Sequence, residues 1–225
     1  MMSRNIFVAC DVSSQKEIID LLKLIHEDIS GIKIGLQYIT QRSPEEIREL
    51  SRFKKPIFYD GKFFDIKNTL VQSVISLKNL NVSYATIHLL NGLDALKAAN
   101  EAAKKINIKL LGVSVLTSFS DEDLEDLGFS NKIEDQVKRL IKIAKDANLY
   151  GVICSPLEIK IIKEIAPNLK CFTPGIRMGD TKDDQKRTMN ANEAIKEGSD
   201  CLIIGRPITN GDPKKNIKNI LSSIE

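Results

Sequence analysis

The sequence has little of what marks several large classes of protein. Its net charge is only +3 in 225 residues, which argues against the positive field of a nucleic-acid-binding or anionic-membrane-binding protein. It has no apolar run of about 20 residues, so we predict no transmembrane helix. The segment MMSRNIFVACDVSS has no long apolar stretch before a small-residue cleavage site, so we expect no signal peptide.

Cysteine is also scarce, and its spacing is not that of a metal site. Cys10, Cys154, Cys171 and Cys201 form no C-x-x-C pair, and each lies in an apolar segment. Such cysteines are typical of small buried side chains in a reducing compartment, not of disulfides or zinc ligands. We therefore expect a cytoplasmic protein with free, buried thiols.

The chain also lacks a linker rich in proline, serine or glycine, so we predict one domain over residues 1–225. Short apolar runs alternate with amphipathic segments of helical spacing. The predicted strands are 6–11, 31–35, 56–61, 84–89, 109–116, 150–155, 169–175 and 201–206.

Several of these strands are apolar on both faces, which is typical of a parallel sheet covered by helices. Eight strand–helix units in this length give about 28 residues each, close to the minimum for a (β/α)₈ barrel. We predict an α/β fold, a single-domain (β/α)₈ TIM barrel. An open doubly wound sheet is the alternative, although no G-x-G-x-x-G follows the first strand.

Polar residues gather at the carboxyl ends of the predicted strands, where barrels of this kind place their active sites. Asp11 ends the first strand and Lys33 lies in the second. The third ends in Asp60 and Lys62, and Asp65 opens the next turn, within YDGKFFD. His88, the pair Thr117 and Ser118, and the segments TPGIR and IGRPIT occupy the ends of later strands.

A purely structural interpretation explains part of this pattern. Asp60 or Asp65 would be a suitable N-cap for a helix that begins near Ile66. Capping does not explain Lys62, nor Lys33 inside the apolar GIKIGL, because a buried lysine is unfavourable unless it is paired.

The segment YDGKFFDIKNT resembles the D-x-K-x-x-D-I-x-N-T signature of the orotidine 5′-phosphate decarboxylase family. Asp11, Lys33, TPGIR and IGRPIT follow in the order and spacing of that family, so the resemblance spans essentially the whole chain. It implies decarboxylation of orotidine 5′-monophosphate to UMP, the last step of de novo pyrimidine biosynthesis, with no metal and no organic cofactor.

The resemblance also implies roles for the polar residues. Lys62 would stabilise and protonate the carbon that loses CO₂, and Asp60 would lie near the departing carboxylate. Lys33 and Asp65 would complete an alternating chain of charges. In the family the second aspartate reaches the neighbouring subunit's site, which implies a homodimer with composite active sites.

The remaining implied contacts are with substrate. The ribose would be bound by Asp11 and Lys33, and across the dimer by Thr69; the pyrimidine edge would be bound by Ser118. The phosphate would be bound by Pro174, Arg177, Gly205 and Arg206.

The sequence departs from the family pattern in three places. Lys67 stands where relatives commonly have proline, and Phe64 where a histidine is common. In the predicted lid, MGDTKDDQKRT, the segment after PGIR is one residue shorter than in many relatives. We therefore assign the phosphate-gripping role to no glutamine, including Gln185, and consider Arg177 as its substitute. His88 matches a family histidine, for which a structural role is the expectation.

Two other functions remain open from the sequence. Sugar-phosphate decarboxylases or synthases of the 3-keto-gulonate-6-phosphate and hexulose-phosphate type share D-x-K-x-x-D, but usually have a magnesium-binding glutamate where Lys33 stands. A barrel that binds nucleotides without catalysis is the second alternative, which the intact Asp60, Lys62 and Asp65 disfavour.

Overall fold

The computed structural model describes residues 5–130, 132–177 and 187–224. Eight parallel strands form the barrel: β1 (Ile6–Ala9), β2 (Gly31–Gly35), β3 (Ile57–Phe63), β4 (Tyr84–His88), β5 (Lys109–Val113), β6 (Gly151–Ile153), β7 (Lys170–Thr173) and β10 (Cys201–Ile204). They close in the order β1-β10-β7-β6-β5-β4-β3-β2. The predicted (β/α)₈ barrel is confirmed.

A second, two-stranded sheet pairs β8 (Ile176–Arg177) with β9 (Met189–Asn190). The sequence analysis did not predict this pair. Strands of two residues carry no periodicity that a sequence pattern can show.

Helices cover the outside of the barrel. They are α1 (Gln15–Ile25), α2 (Leu36–Ile39), α3 (Pro44–Glu49), α4 (Lys67–Ser76), α5 (Leu93–Lys105), α6 (Asp121–Asp126), α7 (Ile133–Asp146), α8 (Ile159–Ile165), α9 (Ala191–Lys196), α10 (Arg206–Thr209) and α11 (Pro213–Ser223). Short 3₁₀ turns occupy Leu50–Phe53, Leu77–Leu80, Leu89–Asn91 and Pro156–Glu158. In the described part of the chain, none of the helices has the length and apolar character of a membrane span.

Helix α1 shows how the sequence fixes these elements. Ser14 caps its amino end by accepting a hydrogen bond from the Glu17 N–H, which satisfies one of the free donors of the first turn. Ile18, Leu22 and Ile25 recur at helical spacing and are fully buried. Their burial fixes this helix against the sheet and confirms the predicted apolar face.

Inside the barrel, the amino-terminal half is filled by an aromatic layer. This layer consists of Phe7, Phe58, Tyr84, Tyr150 and Phe172, whose ring centroids lie 5.4 to 6.4 Å apart, mostly in edge or tilted contact. Gly31 faces the Phe7 ring so closely that a Cβ there would lie 2.2 Å from it. The aromatic layer therefore fills the amino-terminal half of the barrel interior, and the charged residues lie on its carboxyl side.

The four cysteines are buried and free, as the sequence analysis predicted. Burial is the largest influence on the Cys10 thiol and raises its pKa to about 12. Cys10 is therefore a neutral thiol near pH 7, with little nucleophilic character.

Candidate active site

Asp60 is the centre of a charged network at the carboxyl end of the barrel. Its Oδ2 accepts from Lys62 Nζ at 2.9 Å and from Lys33 Nζ at 3.4 Å. Lys33 Nζ also lies 3.2 Å from Asp11 Oδ1. We call Asp11, Lys33, Asp60 and Lys62 the charged network. The structure thus brings together four of the residues that the sequence analysis selected, from three neighbouring strand ends.

Mutual compensation favours the charged forms of the two buried members of this network, Asp60 and Lys33. Burial alone would raise the pKa of Asp60, but Lys33, Lys62 and the Thr86 hydroxyl outweigh it and lower that pKa. Burial alone would lower the pKa of Lys33, but Asp60 and Asp11 outweigh it and raise that pKa. Both shifts favour the charged forms, as expected for opposite charges in contact.

Lys62 reaches the network from an unusual backbone conformation. Its φ is +47°, and the pairing of β3 with β4 shifts register between Tyr59 and Phe63. Because Asp60 and Lys62 lie two residues apart, a regular strand would place both side chains on one face. That expectation does not apply here, because a left-handed residue in an irregular strand breaks the alternation of side chains. The two side chains meet across the irregularity instead.

Thr86 on β4 supports this irregularity, and sequence reasoning missed it. The Lys62 N–H donates to Thr86 Oγ1 at 2.8 Å, and the Thr86 hydroxyl donates to Asp60 Oδ1 at 3.0 Å. Thr86 is fully buried. Its only signal in the sequence is a polar residue at an inward position of an apolar strand, and threonine is common in strands for other reasons. One side chain therefore fixes both the carboxylate and the backbone of the lysine.

The charged network opens into a cavity of about 390 Å³, within the range of small-molecule sites. Ala9, Val113, Ile153 and Ile203 contribute apolar side chains to its lining. The other lining residues are Asp11, Lys33, Gly35, Leu36, Asp60, Lys62, Val115, Leu116, Thr117, Pro174, Gly175, Arg177, Gly205, Arg206, Thr209 and Asn210. Of the Lys62 side chain, 34% remains exposed, so it is accessible to a ligand there.

Gly35 allows two charged groups to approach the backbone at this mouth. A Cβ on Gly35 would lie 2.9 Å from Asp11 Oδ1 and 3.1 Å from Lys33 Nζ. A side chain at this position would therefore displace the Asp11 carboxylate and the Lys33 ammonium from their present positions.

Asp65 and Thr69 do not line this cavity, and both are exposed. The Asp65 N–H donates to Asn91 Oδ1 at 3.0 Å, while Asp65 Oδ1 accepts from the Ile66 N–H at 2.7 Å. Helix α4 has Ile66 at its N-cap position and no side-chain cap. The capping explanation for Asp65 is therefore wrong, and neither side chain contributes to the cavity of its own barrel.

Only some of the residues expected to bind the pyrimidine and the phosphate line the cavity. Thr117 lines the cavity, whereas its neighbour Ser118 is exposed and does not. Arg177 is 8% exposed and lines the cavity, although one of its Nη atoms donates to the adjacent Ile176 carbonyl at 2.9 Å. The predicted lid from Met178, including Gln185, lies almost entirely outside the described residues.

His88 is half-buried outside the cavity lining, where its Nδ1 accepts from the Leu90 N–H at 3.4 Å. Burial, with a smaller contribution from Lys62, lowers its pKa. Asn91, which the sequence analysis did not select, donates to the carbonyls of Phe63 and His88. Together with the Asp65 contact, these bonds fix the β3 and β4 exits as one unit.

Comparison with known proteins shows which protein family the chain matches. The model of the family described as "Orotidine 5'-phosphate decarboxylase / HUMPS family" matches residues 4–220. A protein named orotidine 5′-phosphate decarboxylase from Wolbachia pipientis subsp. Culex pipiens is 39% identical over 221 residues, covering 97% of this chain and 98% of that protein. One of the same name from Ehrlichia canis is 37% identical and covers 100% of this chain and 99% of its own.

A solved structure agrees with these sequence relatives. The crystal structure of orotidine 5′-phosphate decarboxylase from Lactobacillus acidophilus superimposes with a TM-score of 0.86 at 30% identity. The match covers 99% of this chain and 100% of that one. The similarity therefore includes both the barrel and the strand ends that carry the charged network.

Proposed function

The chain belongs to the orotidine 5′-phosphate decarboxylase / HUMPS family, and we propose that it converts orotidine 5′-monophosphate to UMP and CO₂. This reaction is the last step of de novo pyrimidine biosynthesis. The observation that carries the proposal is the Lys62 ammonium, which Asp60 holds 2.9 Å away at the edge of a cavity of substrate size.

The chemical difficulty is the charge left on the pyrimidine ring. When the bond between C6 and the carboxylate breaks, its electron pair stays on C6, where no adjacent carbonyl delocalises it as an enolate. An ammonium fixed beside C6 stabilises that charge electrostatically, and it then donates the proton that completes UMP. Lys62 has the charge, the exposure to the cavity and the fixed position for both steps.

Asp60 and Lys33 hold Lys62 in place for this role. Asp60 is shared by both ammonium groups and by Thr86, so the position of its carboxylate is fixed before substrate binds. A substrate carboxylate in the adjacent cavity would experience the negative charge of Asp60, and that repulsion is relieved when CO₂ leaves. No metal or organic cofactor enters this proposal.

The rest of the cavity supplies substrate binding. Asp11 and Lys33 pair at one side of the mouth and line the cavity, which supports a role in binding the ribose hydroxyls. Across the barrel, Pro174, Arg177, Gly205 and Arg206 line the same cavity, and their two guanidinium groups suit a phosphate. For the pyrimidine edge, the cavity lining supports Thr117 over the adjacent Ser118.

We also propose a homodimer in which Asp65 and Thr69 complete the partner's site. Two observations support it: both residues are exposed outside their own cavity, and large apolar side chains are exposed near them. Phe64 is 65% exposed and Ile66 is 74% exposed, which is unusual for neighbouring residues unless another surface covers them.

Mixing two inactive variants tests the composite site. Lys62→Ala and Asp65→Ala each damage a different half of the site, so a mixed dimer contains one intact site. Activity should reappear when the two purified variants exchange subunits, up to about a quarter of the parent value for random assortment. Absence of recovery in dimers shown to have exchanged would contradict the arrangement.

The cytoplasm is our proposed location, which the four buried free thiols support. The second candidate function, a magnesium-dependent sugar-phosphate decarboxylase, is less well supported. Lys33 occupies the space between Asp11 and Asp60, so a cation there would have to compete with its ammonium group.

An absorbance assay with orotidine 5′-monophosphate tests the function directly. We expect loss of the substrate's absorbance at the same rate with and without a chelator such as EDTA. A protein that leaves orotidine 5′-monophosphate unchanged, or that stops when EDTA is added, would contradict the proposal. A sugar-phosphate acid incubated with Mg²⁺ serves as the comparison substrate.

A further inference from the structure

An ion pair that the proposed chemistry does not use lies behind the wall of the cavity. Arg187 Nη1 pairs with Glu158 Oε1, and the two side chains are only 12% and 7% exposed. Neither residue belongs to the cavity lining. A buried ion pair adds little to stability on average, because desolvation offsets the attraction. Its presence here therefore suggests another role.

The second nitrogen of Arg187 contacts the segment that follows β5. Its Nη2 donates to the carbonyl of Leu116 at 2.9 Å and to that of Val115 at 3.4 Å. These residues lie beyond the end of β5 at Val113, where the strand ladder no longer supplies donors for carbonyls. Val115, Leu116 and the next residue, Thr117, line the cavity. The guanidinium thus binds the backbone of the segment Val115–Thr117, which lines the cavity. We call this segment the Val115–Thr117 wall.

Glu158 holds the guanidinium in that orientation. Its Oε2 accepts from the Ser155 N–H at 3.1 Å, and the Ser155 hydroxyl donates to the Arg187 carbonyl at 3.4 Å. Ser155 is fully buried just after β6. Burial raises the pKa of Glu158, and the Arg187 charge opposes that rise. The contacts therefore form a closed ring that links Arg187 to the exits of β5 and β6.

We propose that Arg187 is a positioning residue for the decarboxylation, which holds the Val115–Thr117 wall against the pyrimidine of the bound substrate. Glu158 orients Arg187. Arg187 touches neither the substrate nor the reacting carbon and acts through the backbone carbonyls of Val115 and Leu116. The effect that we expect on turnover rests on the proposed function. The effect that we expect on the structure of the Val115–Thr117 wall does not.

Hydrogen–deuterium exchange tests the structural consequence without any substrate. In Arg187→Ala, amides in peptides that cover residues 114–117 should exchange faster than in the parent, because the carbonyls there lose their donor. The matched control is Arg52→Ala, which removes a half-exposed arginine paired with Glu49 on the surface. Unchanged exchange at 114–117 in the Arg187 variant would overturn the proposal.

Kinetics with two substrates test the consequence for turnover. Loss of charge-assisted bonds should lower kcat/KM of Arg187→Ala by about 10- to 100-fold. The factor should be the same for orotidine 5′-monophosphate and for orotidine, which lacks the phosphate. A much larger loss for the phosphorylated substrate would place the guanidinium on the phosphate and overturn the positioning role.

Conservative variants separate positioning from folding. Arg187→Lys keeps the charge but loses the fork that reaches two elements, so it should keep thermal stability near the parent's and lose part of the activity. Glu158→Gln should have a smaller effect than Arg187→Ala, because it retains an acceptor for Ser155. A loss of stability with unchanged activity per folded molecule would overturn the proposal. If the parent itself fails to decarboxylate orotidine 5′-monophosphate, the proposed function fails, and the exchange experiment still decides the role of Arg187.

Discussion

The two ends of the barrel interior are lined by opposite kinds of side chain, even where one strand reaches both ends. On β3, Phe58 belongs to the aromatic layer and Asp60, two residues later, to the charged network. On β4, Tyr84 belongs to the aromatic layer, and Thr86, two residues later, donates a hydrogen bond to Asp60 of the charged network. Each of these two strands thus contributes one inward residue to the aromatic layer and the next to the polar mouth.

The contrast between the aromatic layer and the charged network explains why the charged residues are suited to catalysis at the carboxyl end of the barrel. Closely packed rings lie on the amino side of the network, and two of its members, Lys33 and Asp60, are buried. In such surroundings each charge needs a partner of opposite sign, and interactions between charges are stronger than in water. We therefore expect substitutions at the aromatic end to affect folding and those at the charged end to affect turnover.

The largest expected effect is on turnover, at the charged end. Lys62→Ala removes both the electrostatic stabilisation of C6 and its proton donor, so kcat/KM for orotidine 5′-monophosphate should fall by at least about 10⁴-fold. Lys16→Ala, which alters an exposed pair with Asp20, is the control and should retain parent activity. Thermal melting should show that both variants fold. Turnover by Lys62→Ala at the parent rate would contradict our account, in which the charged end determines turnover and the aromatic end determines stability.

The converse experiment removes a ring from the aromatic layer. Phe7 contacts three other rings of the layer, so Phe7→Ala should lower the free energy of unfolding by about 3 to 5 kcal/mol. The activity of the folded fraction should stay close to the parent value. Chemical denaturation measures the first quantity, and kinetics at a temperature where the variant is folded measure the second.

A milder substitution keeps this test informative. Phe7→Leu retains most of the apolar volume and should destabilise the fold by less than Phe7→Ala. If either folded variant lost activity as severely as Lys62→Ala, the aromatic layer would have a direct part in turnover, contrary to our account.

Acid titration compares one carboxylate from each end. Asp200 lies at the amino end, where it accepts from the Cys171 N–H at 2.9 Å and pairs with Lys163 and Lys170. As at Asp60, burial alone would raise its pKa, but these partners outweigh burial and lower it. Both folded-state pKa values thus lie below the ordinary value of 3.8.

The sign of the stability change follows from these directions. A carboxyl with a lowered folded-state pKa stabilises the fold above its unfolded pKa, and that contribution is lost as pH falls through the folded value. The stability of Asp60→Asn and of Asp200→Asn should therefore approach that of the parent as pH falls below about 4. Of the two, only Asp60→Asn should also lose activity at neutral pH. Equal activity losses would contradict the separation of the two ends.

The sequence predicted the barrel well because its signals are local. Each barrel strand is an apolar run, and the eight runs lie where the strands are. Several predicted strands extended too far at their carboxyl ends, as in 109–116 for the observed Lys109–Val113, because apolar residues there line the cavity instead of continuing the ladder. Conversely, β3 extends beyond its predicted end at residue 61 to Phe63, because the irregular part of the strand includes the charged Lys62.

The site was predicted only in part, for a physical reason. Lys33 was selected because a buried lysine requires a partner, and Asp60 because it lies at a strand end within the family signature; the structure pairs them. The Arg187–Glu158 pair was missed because the two residues are 29 positions apart and neither interrupts an apolar strand. Thr117 lines the cavity and the adjacent Ser118 does not, a difference that the sequence does not predict because a loop has no period that fixes which side chain points inward.

The most direct test of the central claim, that Lys62 exchanges a proton with C6 of the pyrimidine, uses the product alone. By microscopic reversibility, a lysine that protonates C6 also removes that proton, so the protein should catalyse exchange of the C6 hydrogen of UMP in D₂O. NMR of UMP follows this exchange without any decarboxylation. We predict exchange above background with the parent and none with Lys62→Ala; equal exchange by both proteins would contradict the account.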